Sequence, residues 1–129
     1  PKDMQEHTHY DHLLQEILSY FSQKIDSAKK HQITDIIIDP GYGFAKTTQQ
    51  NFELLRESQL LNTFGVPVLT GLSRKSMIYK TLNATAEEAL NGTTALHMQA
   101  LLNGSSLLRV HDVAAAKECI LLYEALQKA

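Results

Sequence analysis

The chain has 129 residues, 43% of them hydrophobic and 20% charged, and a formal net charge of -2 at neutral pH. That is enough apolar material for one ordinary core, and it excludes a disordered or fibrous chain. With no run of Lys or Arg and no stretch near the ~20 consecutive apolar residues of a membrane span, neither nucleic acid nor a membrane is an expected partner.

Leu13, Leu14, Ile17, Leu18, Phe21 and Ile25 fall at helical spacing, and Thr8 with Asp11 precedes them in a capping-box-like arrangement. The spacing predicts a surface helix over 13–25, opened by those caps. In the same stretch EHTHYDH groups His7, His9 and His12 at spacings of two and three, neither of which is the four-residue helical spacing of a zinc pair, so a solvated helix start is expected and no metal site. Next, ITDIIIDPGYGF sets three consecutive β-branched residues, Ile36 to Ile38, before Asp39-Pro40-Gly41, the pattern of a short strand buried on both faces. A helix over Phe52 to Leu61 follows. VPVLTGLSRKS then predicts a second strand, with a helix starting at Ser73.

Thr85 pairs with Glu88 in a capping box that opens a helix ending at Asn103-Gly104, with Asn91-Gly92 as a possible break. A third strand, Ser106 to Val110, leads into a helix over Val113 to Leu126. The single cysteine, Cys119, shares an apolar stripe with Ile120 and Leu122, which predicts a reduced core thiol and a cytoplasmic setting. The opening PKDMQEH is neither a signal peptide nor an initiator methionine, as in a piece of a longer protein.

Strand starts some 30 to 40 residues apart, each followed by a helix, are the period of βα units in a parallel sheet. A small open α/β sheet and part of a (β/α)₈ barrel both fit. A whole barrel needs roughly 250 residues and eight strands, so the barrel reading requires missing amino-terminal strands and leaves both outer strands with open edges. In either architecture ligands bind at the carboxyl ends of parallel strands. Three stretches qualify, IIIDPGYGFAK, VLTGLSRKS and LLRVHDV, and they hold two of the three arginines, Arg74 and Arg109, together with Asp39, Lys46, Lys75 and His111.

The residue types suggest a chemistry. An ionised carboxylate such as Asp39 at a strand end can accept a pair of N–H groups side by side, although Asp before Pro-Gly is also a common turn starter. Arg109 can lay its guanidinium plane on a ring and add positive charge. His111, Asp112 and Val113 open the last helix, whose backbone N–H groups favour an anion. Asp112 fits a helix-start residue rather than a base. Gly41-Tyr42-Gly43 lacks the third glycine of a dinucleotide fingerprint. His97 and Met98 fit packing or surface positions.

Three motifs, Asp39-Pro40-Gly41-Tyr42-Gly43-Phe44-Ala45-Lys46, Ser73-Arg74-Lys75 and Arg109-Val110-His111-Asp112-Val113, stand in an order and at separations that resemble the carboxyl-terminal part of dihydropteroate synthase. That family carries DPGxGFxK after the sixth barrel strand, SRK after the seventh and RVHDV at the eighth. Tyr42 stands where the family has Phe or Ile. Pro1-Lys2-Asp3-Met4 resembles the stretch after the fifth strand, so the likeness covers the whole chain. It implies an α/β fold, the carboxyl-terminal part of a (β/α)₈ TIM barrel with three parallel strands and flanking helices, and residues 1–129 as one portion of a single pterin-binding domain.

The resemblance further implies a transferase that condenses 6-hydroxymethyl-7,8-dihydropterin pyrophosphate with p-aminobenzoate, releasing pyrophosphate, in folate biosynthesis. Asp39, Gly43, Phe44, Lys75 and Arg109 would bind the pterin. Ser73, Arg74 and Phe44 would bind p-aminobenzoate, the target position of sulfonamides. Arg109 and His111 would hold the pyrophosphate, and Lys75, Arg109 and His111 would carry catalysis, with Arg74 and Lys46 also readable as solvated charges at the mouth. Magnesium is expected in the whole enzyme, with its ligand outside this chain, and a homodimer through the later helices. The fragment alone would be inactive. Two other readings compete: a pterin-binding methyltransferase barrel, which would not be expected to carry SRK and RVHDV together, and a non-catalytic half-barrel.

Overall fold

Helix α1, Lys2–Lys30, is much longer than the 13–25 that the apolar spacing predicts, because neither Pro nor Gly interrupts the chain between those bounds. The computed structural model describes residues 2–129, with side chains from residue 12 onward. Thr8 and Asp11 lie inside α1 and therefore do not open it; their side chains, with those of His7 and His9, fall outside the described residues. The helix ends where Gln32 takes a positive φ of 62° and the N–H of Ile33 returns to the carbonyl of Ala28. Phe21 and Ile25, on its buried face, pack with Ile38, Leu61 and Val68.

The parallel sheet is smaller than expected. It pairs β1 (Leu69–Thr70) with β2 (Leu107–Leu108), in the register Leu69 with Leu107 and Thr70 with Leu108. The expected first strand, Ile36 to Ile38, is reduced to one parallel bridge from Ile38 to Val68. Three strands are thus corrected to two and a bridge. The reason is local: only Ile38 of the three isoleucines is buried and Ile37 is 56% exposed, so the run meets the sheet at one residue, opposite Val68. The ladder runs on past the assigned strands, since the N–H of Arg109 donates to the carbonyl of Thr70 at 3.0 Å.

Helices cover the sheet. α2, Thr48–Arg56, opens on a capping box between Thr47 and Gln50, and a 3₁₀ segment, Ser58–Phe64, replaces the second half of the helix expected to Leu61. α3 is Ser76–Thr81, capped by Lys75, so it does not start at Ser73. The Thr85–Glu88 capping box is present but opens only a 3₁₀ turn, and α4, Leu90–Leu102, runs unbroken through Asn91-Gly92. α5, Val113–Lys128, matches its expected place. The core between sheet and helices holds Tyr42, Leu54, Leu55, Leu72, Met77, Ile78 and Ala100, each worth ~1–3 kcal/mol of apolar burial by size. Cys119 is buried on α5 and free, and its Sγ–H donates to the carbonyl of Thr94 on α4 at 3.7 Å.

Candidate functional site

All three segments end on one side of the sheet, and what they bring together begins with Asp39. Its Oδ1 accepts the N–H of Gly41 at 2.9 Å, the turn that Asp-Pro-Gly encodes, and its Oδ2 accepts Nη1 of Arg109 at 2.9 Å across seventy positions of sequence. The pair is open to solvent, with 53% of the Arg109 side chain and 34% of that of Asp39 exposed, so it can be shared with a ligand. The Arg109 guanidinium packs against Gly71: a Cβ there would stand 2.3 Å from Nη2 and 2.8 Å from Cζ. Only glycine leaves that room.

Lys75 joins the first segment to the second. Its Nζ donates to the carbonyl of Tyr42 and sits 5.1 Å from the centroid of the Phe44 ring, which is 69% exposed. Burial holds the Lys75 ammonium below the ordinary lysine range, and the charge of Arg109 pushes the same way, while Asp39 pulls it back up. Gly43 takes a φ of 92°, and a Cβ there would press on Lys75 Cδ at 3.4 Å. Lys46 does not face the mouth as a free charge: Nζ donates to the carbonyls of Gly41 at 2.7 Å and Phe44 at 3.2 Å, and burial lowers its pKa.

A small cavity of about 150 Å³ is lined by Gly71, Ser73, Lys75, Arg109, Val110 and His111. The hydroxyl of Ser73, a residue only 5% exposed, lies 2.9 Å from His111 Nδ1 and accepts the backbone N–H of His111 at 3.3 Å. That position corrects the helix-start argument for Ser73, since α3 opens three residues later at Ser76.

Arg74 pairs within the protein. Its Nε and Nη2 donate to both oxygens of Asp112, at 2.8 and 3.1 Å, and Nη1 donates to the carbonyls of Ala86 and Glu87. The guanidinium thus has four protein acceptors. The pairing lifts the pKa of Arg74 and holds the Asp112 carboxyl below its usual range, each chiefly through the hydrogen bonds between them. Asp112 takes the N-cap position of α5 without capping it, because its carboxylate is turned to Arg74.

Several contributors escaped the sequence reading. Asn51, buried at the start of α2, accepts the N–H of Gly43 at 2.8 Å and donates to the carbonyl of Thr47 at 3.0 Å, tying the loop to the helix. Thr93 on α4 accepts the backbone N–H of Arg74 at 3.0 Å, where Arg74 has a φ of 55°. Tyr42, the departure from the motif, points into the core and presents only its carbonyl to the site; burial raises its phenol pKa. Gly71 carried a signal, a glycine two residues before the Ser73-Arg74-Lys75 run at a strand end, whereas Asn51 and Thr93 carried none.

The arrangement offers one carboxylate, two cations and an imidazole around a common opening, with an exposed aromatic ring at its rim. Residues 1–111 match the family model described as pterin binding enzyme. The chain is 38% identical over 128 residues to the bifunctional dihydropteroate synthase/dihydropteroate reductase of Helicobacter pylori, covering 99% of this chain and 34% of that protein. It is 40% identical over 129 residues to the dihydropteroate synthase of Synechocystis, covering 98% of this chain and 45% of that one. Among solved structures it is similar to the dihydropteroate synthase of Yersinia pestis, with a TM-score of 0.87 and 33% identity over 91% of this chain and 56% of that chain. It is similar also to the enzyme of Coxiella burnetii in complex with pteroic acid, with a TM-score of 0.86, 38% identity, and coverage of 89% and 44%. The chain spans less than half the length of these curated relatives.

Proposed function

The chain belongs to the pterin-binding enzyme family, and we propose that it forms the carboxyl-terminal part of a dihydropteroate synthase barrel whose amino-terminal strands lie outside it. The observation that carries this reading is the convergence of Asp39, Lys75 and Arg109 from three separate segments, with His111 beside them at one cavity. In the proposed reaction the amine of p-aminobenzoate forms a C–N bond to the pterin methylene carbon. The C–O bond to pyrophosphate breaks, and the amine loses its proton.

Each step has a residue. Asp39 accepts the amino and ring N–H groups along the pterin edge, since a carboxylate already holding two N–H donors keeps further lone pairs. Lys75 donates to the pterin oxygen or ring nitrogen, beside Gly43. Arg109 lays its plane against the ring and, with His111, meets the charge that builds on pyrophosphate as the carbon becomes cationic. Phe44, exposed above Lys75, walls the p-aminobenzoate ring. Ser73, which lines the cavity beside His111, and its neighbour Arg74 are the groups for the carboxylate of that substrate. The neutral aromatic amine needs no base, so catalysis is positioning and leaving-group stabilisation in an S_N1-like manner.

Among the described residues no three His, Cys, Asp or Glu side chains come together to hold a metal. Magnesium, with its ligand outside this chain, belongs to the proposal for the whole enzyme, and the steps above rest on this chain's own residues. A homodimer and a cytoplasmic setting complete the proposal. Exposed Leu121, Leu122 and Leu126 on α5 supply apolar surface for the first, and the free thiol of Cys119 supports the second. Among the described residues no helix is long and apolar enough to cross a membrane.

The test is the whole protein that contains this chain, supplied with dihydropterin pyrophosphate and radiolabelled p-aminobenzoate. Pteroate-linked label and stoichiometric pyrophosphate are expected; a folded protein that releases no pyrophosphate overturns the reading. The isolated 129 residues are expected to give no turnover.

A further inference from the structure

The carbonyl of Tyr42 and the N–H of Gly43 are the two ends of one peptide unit, and different parts of the fold hold them. The N–H donates to Asn51 Oδ1 at 2.8 Å, while the carbonyl accepts from Lys75 Nζ. Asn51 is 2% exposed, and its Nδ2 donates to the carbonyl of Thr47 at 3.0 Å. Its side-chain amide therefore has a single orientation, because turned over it would set Oδ1 against a carbonyl and Nδ2 against an N–H. The peptide itself has two. Residues 41–44 form a turn closed by the N–H of Phe44 on the carbonyl of Gly41 at 3.3 Å, and Gly43, third in that turn, takes a φ of 92°, as a type II turn requires. Half a rotation of the 42–43 peptide gives the type I form. That form keeps the closing hydrogen bond and asks only that Gly43 change the sign of φ, which glycine does at no steric cost. It would, however, aim the N–H at the Lys75 ammonium and the carbonyl at Asn51 Oδ1, so that both contacts repel.

We propose that Asn51 is a positioning residue: by holding the N–H of Gly43 it fixes the direction of the Tyr42–Gly43 peptide, whose carbonyl then places the Lys75 ammonium at the opening of the site. One of the three ammonium hydrogens is taken up in this way, and two are left for a ligand. The other ties of the loop fall on either side of this peptide. The Tyr42 ring, buried in the core, fixes the residue before it, and Lys46 Nζ holds the carbonyls of Gly41 and Phe44. Asn51 alone among these takes the peptide's own N–H, from a helix that lies outside the loop. That the ligand of Lys75 is a pterin rests on the proposed activity; the coupling of Asn51 to Lys75 does not.

The experiment uses the whole protein that contains this chain. It follows hydrogen exchange of the Gly43 amide, the titration of the Lys75 Cε signal by ¹³C NMR, assigned by its loss in Lys75→Arg, and the KM for each substrate. A protected Gly43 amide is expected in the wild type. In Asn51→Leu the protection is lost and Lys75 titrates at lower pH, because an N–H dipole replaces the carbonyl while Arg109, Asp39 and Lys46, which also act on that ammonium, stay the same. KM for the dihydropterin pyrophosphate rises about tenfold, the scale of one charged hydrogen bond. KM for p-aminobenzoate is unchanged, since Phe44 keeps the hydrogen bond that closes the turn. Asn51→Asp, which keeps an oxygen for the Gly43 N–H, restores the protection and the KM. An unprotected Gly43 amide in the wild type overturns the proposal without any variant, which covers the case of Asn51→Leu failing to fold. So does a folded Asn51→Leu in which Lys75 titrates as in the wild type or both KM values rise together, as a loosened loop would give, and so does an Asn51→Asp no better than Asn51→Leu. The expected exchange and titration in a protein that turns over no dihydropterin pyrophosphate sustain the role of Asn51 and overturn the activity alone.

Discussion

The loop after Ile38 and the pair of loops after β1 and β2 build the same opening in different ways. Residues 39–47 are held mostly by themselves and by the helix they lead into: Asp39 turns back on Gly41, Lys46 ties Gly41 to Phe44, and Asn51 catches Gly43. The other two loops hold each other through side chains, Ser73 with His111 and Arg74 with Asp112. Lys75, to Tyr42 and over Phe44, and Arg109, to Asp39, join the two constructions. A self-held loop can carry an exposed ring such as Phe44 and still adjust. A bolted pair keeps its anion-facing groups in place before anything binds, which is what preorganised stabilisation requires. In the proposed reading, two cations join the pterin side of the site to the leaving-group side.

Cutting that joint is the strongest way to test the division. Arg109→Ala removes the link to Asp39 together with the charge meant for the leaving group, and a loss in kcat of about 10²-fold or more is expected in the whole protein, as for other transition-state donors. Steady-state pyrophosphate release measures it; wild-type turnover in that variant sinks both the joint and the assignment. Gly71→Ala is expected to cost roughly tenfold to a hundredfold in kcat/KM through a displacement of about an ångström. The new Cβ would strike the far end of the flexible Arg109 side chain at 2.3 Å, so Arg109 moves and the fold stays. An unchanged Tm beside the lost activity distinguishes this from a folding defect.

How far the sequence carried these features depends on how local they are. Asp39, Gly41 and Gly43 were legible because a turn is written in adjacent residues, and the clustering of Lys75, Arg109 and His111 followed from where parallel strands must end. The roles of Ser73 and Arg74 were not, since their partners lie 38 residues away and nothing at either position names the other. A helix start was expected at Ser73 because Ser is a good cap, but Arg74 at a φ of 55° breaks the helical path and shifts the cap to Lys75. The isoleucine run misled for a related reason: β-branched residues announce a strand, while a ladder needs a partner at successive residues, and among the described residues only Ile38 of this run is bridged. For α1 the apolar stripe marked the buried turns and said nothing of polar turns before them.

Smaller effects sharpen the self-held side. Lys46→Met keeps the aliphatic stem and removes the ammonium that bridges the carbonyls of Gly41 and Phe44. Because the loop retains its Asx turn and Asn51, a decrease in kcat/KM of only about threefold to tenfold is expected, the scale of one or two hydrogen bonds. It should appear mainly as a higher KM for p-aminobenzoate, the substrate proposed to lie beside Phe44. A loss as large as that of Arg109→Ala would show the loop to be part of the bolted construction after all.

The smallest effect concerns the support beneath the bolted pair. His97 lies one turn after Thr93 on α4; it is 2% exposed, and its Nε2 is buried without a hydrogen-bond partner. Burial disfavours the imidazolium and holds its pKa below the ordinary 6.5. The unfolded chain therefore binds more protons than the native one as pH drops past 6.5, so stability is full above that value and is lost as pH falls through the folded pKa. Urea midpoints of the whole protein between pH 5 and 7.5 are expected to decline on the acid side, and His97→Leu should flatten that limb while leaving kcat at neutral pH unchanged. Since Thr93 on the same helix face holds the backbone of Arg74, a flat limb paired with lost turnover would mean that α4 carries the bolts directly, and that the site and its support are one cooperative unit.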